Sequence, residues 1–307
     1  MKSLRLLSVL LLFLMGCDRD EDILLNVVPT ADAGSPKAIT LPVNTVTLTG
    51  TGADSDGTIV AYVWSQVSGP SATVIVHPGA PTTAVNGFIA GTYKFQLGVT
   101  DDDGATGFDT VSVTVSQAAE TTITLQPTNN PNETRPAIVG TADQTGPGPD
   151  YPLSAWTVNG VAAKLRALVK FDWGAIPQNA TIVSATLSLY SYPAPLLNGN
   201  FTDANFGANN SFTVQRVTSD WSVATTTWFN QPAGALANQV VVPHTSASFL
   251  DLNLDVTNLV STMVSTNANY GFLLKLQNEV IYTSRIFVSS SSTVHPTKRP
   301  KLVIVYR

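Results

Sequence analysis

Cysteine occurs once in the 307-residue sequence, at position 17, which excludes an internal disulfide framework and any zinc site built from cysteines. Charge is also scarce. Asp, Glu, Lys and Arg make up 12 % of the chain, against about 25 % in an average soluble domain, while 44 % is hydrophobic. Such a composition excludes a charge-rich disordered protein or a long charged coiled coil. The net charge is −5 and no basic block occurs, so the electrostatic footprint of a nucleic-acid binder is missing. No apolar run approaches the roughly 20 residues that span a bilayer as a helix. The three histidines, His77, His244 and His295, are scattered without metal-ligand spacing. There is no HExxH run, nucleophile elbow, phosphate-binding loop or dinucleotide fingerprint, and the chain reads as a non-enzyme. Only a glycosidase- or lyase-type site, assembled in space from two carboxylates or a tyrosine and a base, would leave no such trace.

What is present begins with a leader. Lys2 and Arg5 precede an apolar run from Leu6 to Met15, broken only by Ser8, and the run ends at Gly16-Cys17. Residues 1–16 have the layout of an export signal that is removed. Leu14-Met15-Gly16-Cys17 resembles the bacterial lipobox, which implies that Cys17 is lipidated and becomes the first residue of the mature chain. Three acyl chains would then hold the protein on a membrane almost permanently. An ordinary secreted protein with an unrelated cysteine is the alternative. Residues 17–26 carry Asp18, Asp20, Glu21 and Asp22 around Arg19, an acidic tether that anionic headgroups repel. The cluster resembles the export tag of surface lipoproteins in the Bacteroidetes. That resemblance implies a lipid-anchored protein exposed on the outer membrane; a plain solvated linker is the alternative.

At about 150 residues per domain, the length predicts two domains. Residues 27–116 read as short strands. Tyr93, Phe95, Leu97 and Val99 alternate with Thr92, Lys94, Gln96 and Gly98, and Val111, Val113 and Val115 alternate with polar neighbours, so each strand has one buried and one wet face. Asp101-Asp102-Asp103-Gly104 and Asp54-Ser55-Asp56-Gly57 are turns. Ala31-Asp32-Ala33-Gly34, Asp56-Gly57-Thr58-Ile59 with Trp64, Gly91-Thr92-Tyr93 and Val99-Thr100-Asp101 together resemble a PKD (polycystic kidney disease) domain. The resemblance implies an immunoglobulin-like sandwich acting as a non-catalytic spacer or adhesion module. Asp54, Asp56, Asp101 and Asp103 are candidate Ca²⁺ ligands by donor type, although the closing Glu of an EF-hand loop is absent and turn chemistry also accounts for them.

A polar joint, residues 117–122, leads to a second β-domain over 120–307. Leu165, Ala167, Val169 and Phe171 alternate with Lys164, Arg166, Leu168 and Lys170. Ala185, Leu187 and Leu189 face one way while Ser188, Tyr190 and Tyr192 face the other. Asp255–Thr266 alone reads as helix, with Val256, Leu259, Val260, Met263 and Val264 on one face. Three ordered blocks resemble the DNRLRE (disaggregatase-related) domain, which is grouped among carbohydrate-binding modules. They are Arg166-Ala167-Leu168-Val169-Lys170-Phe171-Asp172 with its following strand, Val217-Thr218-Ser219-Asp220-Trp221 with Thr227-Trp228 and Asn230-Gln231-Pro232, and Asp255-Val256-Thr257 with Tyr270-Gly271-Phe272 and Asn278-Glu279. The expected fold class is therefore all-β: an immunoglobulin-like PKD sandwich, then a larger jelly-roll-like sandwich with one short helix.

A sugar ring offers an apolar face and a rim of hydroxyls, so a glycan site combines exposed aromatic faces with a few directed polar groups. Tyr190 and Tyr192 are the candidate aromatic platform; Arg166, Lys170, Arg216 and Arg285 are candidate partners for a uronate or sulfate. Packing of the tyrosines beneath a loop, and pairing of the cations with Asp172, Asp220 or Glu279, are the structural alternatives. The expected function is non-catalytic binding of a polysaccharide, with an acidic one as a named class, by a lipid-anchored surface protein. A structural or adhesion protein that contacts other proteins is the alternative, and a polysaccharide-active enzyme a more distant one.

Overall fold

A computed structural model describes residues 25–128, 130–144, 148–174, 176–195 and 202–307. The leader, Cys17 and most of the acidic tether lie outside the described residues. Contacts divide the chain into two units, Met1–Ala118 and Ala119–Arg307. Among the described residues no helix is long and apolar enough to cross a membrane.

In the first unit a four-stranded sheet runs in the order Lys37–Thr40, Thr106–Ser116, Gly91–Asp101, Ile59–Ser68. A three-stranded sheet, Thr45–Thr49, Thr82–Asn86, Val74–Ile75, completes the sandwich. The period-2 alternation decides what is buried: Tyr93, Phe95, Leu97, Val99, Val111, Val113 and Val115 meet Val46, Leu48 and Val85 around Trp64. The Asp101–Gly104 turn forms as its residue types require, because Asp101 Oδ1 accepts the Ala105 N–H at 2.8 Å and Gly104 takes φ +89°.

The second unit packs a four-stranded sheet, Thr121–Leu125, Lys301–Tyr306, Ile182–Leu189, Leu252–Asp255, against a second layer made of two sheets. One has the order Glu133–Thr134, Ala167–Val169, Phe272–Leu276, Phe212–Arg216, Val240–Val242. The other has the order Ala142–Gln144, Ala137–Val139, Val161–Leu165, Asp150–Val158, Thr283–Val288, Asn205–Phe206. Arg166, the single residue between Val161–Leu165 and Ala167–Val169, donates its N–H to the Pro136 carbonyl at 3.1 Å, so one stretch of chain carries this layer from one sheet into the next. Ala185, Leu187, Leu189, Leu302 and Ile304 face Leu153, Val169, Phe212, Phe272, Leu274 and Phe287 in one core.

The helix is Thr257–Ser265, shorter than the periodicity predicts, and buries Leu259, Val260, Met263 and Val264. Asp255 stays in the preceding strand, where its Oδ1 accepts both the N–H and the hydroxyl of Thr257. Alternation also fails in two strands whose outer faces are covered. Leu168 is buried with Val217 and Leu273 under Trp221 and Tyr270, and Ser188 is buried on the reverse of the strand Ile182–Leu189, after which Ser191 bridges to Phe287 and Tyr192 is buried against Ile286 and Val288. Loops lie over faces that a bare sandwich would leave wet.

Candidate functional site

The strand Thr283–Val288 organises the outer face of the six-stranded sheet. Alternate side chains point to opposite faces, so Ser284, Ile286 and Val288 face outward while Arg285 and Phe287 face the interior. One end of this outer face is closed, with Ile286 and Val288 packed beneath Tyr192, Ala204 and Tyr190. At the other end Trp156 meets Phe206 at 5.4 Å and Tyr282 at 5.2 Å between ring centroids, both edge-on. Phe206 is 39 % and Tyr282 54 % exposed. Tyr282 adopts φ +66°, a region that bulky side chains rarely occupy.

Beside this trio lies a cavity of about 630 Å³ lined by Phe206, Asn209, Asn278, Val280, Tyr282 and Thr283 among others. That volume is typical of small-molecule sites, roughly 300–1,000 Å³. Gly207 allows its two walls to approach: at φ +97°, a Cβ there would come within 2.7 Å of the Tyr282 carbonyl oxygen. The lining carries aromatic faces and two amides, each able to donate and accept, and no ionised side chain.

The loop 277–282, which supplies Asn278 and Val280 to the cavity, also holds a charged cluster. Glu279 takes Arg166 in a two-point pair, Nε to Oε1 at 2.7 Å and Nη2 to Oε2 at 3.2 Å, and lies 3.6 Å from Lys164 Nζ. The Arg166 guanidinium stacks 4.3 Å over the Trp228 ring and donates to Gln231 Oε1 at 3.4 Å. Burial and the Arg166 charge lower the pKa of Lys275, which Glu279 partly restores. Arg166 and Lys164 thus share one carboxylate, whose charge also reaches Lys275.

The residues named from sequence separate on the structure. Arg166 belongs to this cluster. Lys170 pairs weakly with Asp220, at 3.8 Å, and Arg216 is half-buried at the end of Phe212–Arg216. Tyr190 and Tyr192 do not form the expected platform: Tyr190 is partly buried, and Tyr192 is 7 % exposed with its ring edge-on to His295. Arg285 is corrected too. It is sealed over Phe212, among the described residues reaches only Asn210 Oδ1 at 3.5 Å, and burial lowers its pKa to about 10.

The expected Ca²⁺ set is not assembled either. Asp101 is buried and spends Oδ1 on Ala105 N and Oδ2 on Asn26 Nδ2, while Asp56 Oδ2 accepts the Val27 N–H. Desolvation and the neighbouring Asp56 raise the pKa of Asp54, and Asp103 is exposed. Among the described residues no group of three acidic, His or Cys side chains is placed to hold a metal. The sequence left Trp156 evenly balanced between a core and a ligand role and did not point to Phe206, Asn209 or Tyr282.

Comparison with known families decides what this sandwich is. A model described as carbohydrate-binding module family 96 matches residues 153–306. The chain belongs to that family. In the first unit, residues 33–115 match the K319L-like PKD domain model. The family 96 module and the PKD domain are non-catalytic types, and no catalytic domain is matched.

The mouse dyslexia-associated protein KIAA0319-like protein is 36 % identical over 92 residues, 30 % of this chain and 9 % of that protein. The chain thus spans under a tenth of the length of this curated relative. A solution structure of the PKD domain from KIAA 1837 protein is 34 % identical, covering 29 % of this chain and 86 % of that one, with a TM-score of 0.27. A structure described as showing the promiscuous specificity of carbohydrate-binding modules of the beta-sandwich superfamily is 15 % identical, covers 92 % of both chains and has a TM-score of 0.24.

Proposed function

We propose that the family 96 domain binds a polysaccharide at the Trp156, Phe206 and Tyr282 end of its six-stranded sheet. The PKD domain acts as a spacer, and lipid on Cys17 holds the protein on the outer face of the outer membrane. The observation that carries the binding reading is an aromatic trio, with Phe206 and Tyr282 exposed over a half-buried Trp156, beside an amide-lined cavity of about 630 Å³. The apolar face of a sugar ring rests on the tyrosine and phenylalanine, and Asn209 and Asn278 address its hydroxyls. An acidic polysaccharide is the preferred class. Among the described residues Arg166 and Lys164 form ion pairs only with Glu279, whose charge also acts on Lys275, and this surplus of positive charge adjoins the uncharged cavity.

Calorimetric titration of the full chain against alginate, pectin and neutral glucans tests this. Tyr282→Ala should lower affinity for the bound polymer at least tenfold; unchanged affinity removes the site.

A second reading, adhesion to another protein, is favoured by one feature of the PKD domain. Val63, Gly98 and Phe108 form one row across three strands, and Val63 and Phe108 are both exposed. Polysaccharide binding that survives Val63→Ser and Phe108→Ser, with loss of adhesion to cells, would identify that second role.

A further inference from the structure

A second cavity, of about 400 Å³, is lined by Ser191, Pro193, Phe249, Leu250, Asp251 and Lys298, none of which belongs to the first site. It lies where the chain leads into the strand Leu252–Asp255, which among the described residues pairs only with Ile182–Leu189, at the edge of the four-stranded sheet. Its walls are held in place by Ser191. The Ser191 hydroxyl accepts the Leu250 N–H at 2.9 Å and donates to the Leu250 carbonyl at 3.0 Å, and the Ser191 N–H donates to Asp251 Oδ1 at 2.9 Å. These bonds fix the backbone of 250–251 while Phe249 remains 44 % and Leu250 39 % exposed. At the rim Asp251 Oδ2 stands 3.6 Å from Lys298 Nζ, with about half of each side chain open to solvent.

We propose that this cavity is a second glycan site, and that it takes a neutral sugar. The lining pairs an aromatic ring and a proline, suited to the C–H face of a pyranose, with one acceptor and one donor side by side. A carboxylate accepts from a hydroxyl and an ammonium donates to one, so Asp251 and Lys298 together match two adjacent hydroxyls. An exposed ion pair of this length contributes little, so hydroxyls displace it readily. The two charges cancel, unlike the three cations around Glu279, and nothing in this cavity favours a carboxylate or sulfate. Two sites of different charge on one domain would let it bridge unlike chains or bind a mixed polymer with avidity.

The inference rests on the carbohydrate-binding reading of the domain but not on the position of its first site. The test is a nuclear magnetic resonance titration of the full chain with cellohexaose, mannohexaose and an alginate hexasaccharide, for the native chain, Tyr282→Ala, Phe249→Ala and Asp251→Asn. At least one neutral hexasaccharide should shift the amides of residues 249–251, with affinity unchanged within twofold in Tyr282→Ala. That affinity should fall at least fivefold in Phe249→Ala and in Asp251→Asn, whose melting temperatures stay native. The inference is overturned if neither neutral probe moves these amides, if both variants bind as the native chain does, or if alginate binds here as tightly. Loss of alginate binding in Tyr282→Ala alone bears only on the first site.

Discussion

Glu133 offers a quantitative test of the interior of the second domain. It is 4 % exposed, both carboxylate oxygens lie 3.3 Å from the Ser290 N–H, and no cation pairs with it among the described residues. Desolvation therefore outweighs the hydrogen bonds and raises its pKa above the ordinary carboxylate value. The same charge, added to complete burial, pushes the Tyr151 hydroxyl well up. A carboxylate whose pKa is raised on folding binds its proton more tightly in the native state. It destabilises the fold above the native pKa, and the penalty fades as pH falls towards the unfolded value. Within that window one group changes the unfolding free energy by at most about 1.4 kcal/mol per pH unit. For a domain of this size each kcal/mol moves the midpoint by about 2–4 °C. Asp150, also raised by burial though Arg135 opposes it at 2.9 Å, adds a slope of the same sign. Thermal melts followed from pH 8 down towards the ordinary Glu value of 4.5 should show the second-domain transition rising as pH falls below the native pKa, with Glu133→Gln flattening that rise and more stable than the native chain at pH 8. Identical slopes for the two proteins would refute the assignment of an ionisable, uncompensated carboxylate at this position.

Two further outcomes follow from the charged cluster and the leader. Glu279→Gln leaves Arg166, Lys164 and Lys275 without their shared carboxylate, so affinity for an alginate hexasaccharide should rise severalfold at low salt and converge with native affinity at high salt; equal affinities at low salt would contradict the electrostatic reading. Cys17→Ser should release the mature protein from the membrane fraction in a bacterial host able to process lipoproteins, and continued sedimentation with membranes would rule out the lipid anchor.

Much of the scaffold was legible because a half-buried strand writes its burial into a period of two. Tyr93 to Val99 and Ala185 to Leu189 took the faces their alternation predicts. The site was harder to read because alternation says which side of a strand is apolar and not what later segments of chain lay over it. Tyr190 and Tyr192 sit on the outward face as their spacing requires, yet Ala204, Ile286 and Val288, distant in sequence, enclose them. Arg285 was named as a cation for a uronate or sulfate, but the register that sets it opposite both Leu153 and Asn205 turns it inward. The aromatic trio draws one residue from each of three strands or strand ends, so no local pattern announces it. Arg166, named from sequence as a cation for a uronate or sulfate, falls between two strands and pairs with Glu279, and its stacking on Trp228 depends on a loop some sixty residues away.

The most direct measurement is a crystal structure of the chain with a bound alginate hexasaccharide. A sugar ring resting on Tyr282 and Phe206, with its carboxylate directed towards Lys164 and Arg166, is the predicted result. Saccharide density at Tyr190 and Tyr192, on the PKD domain, or nowhere at saturating concentration would contradict it.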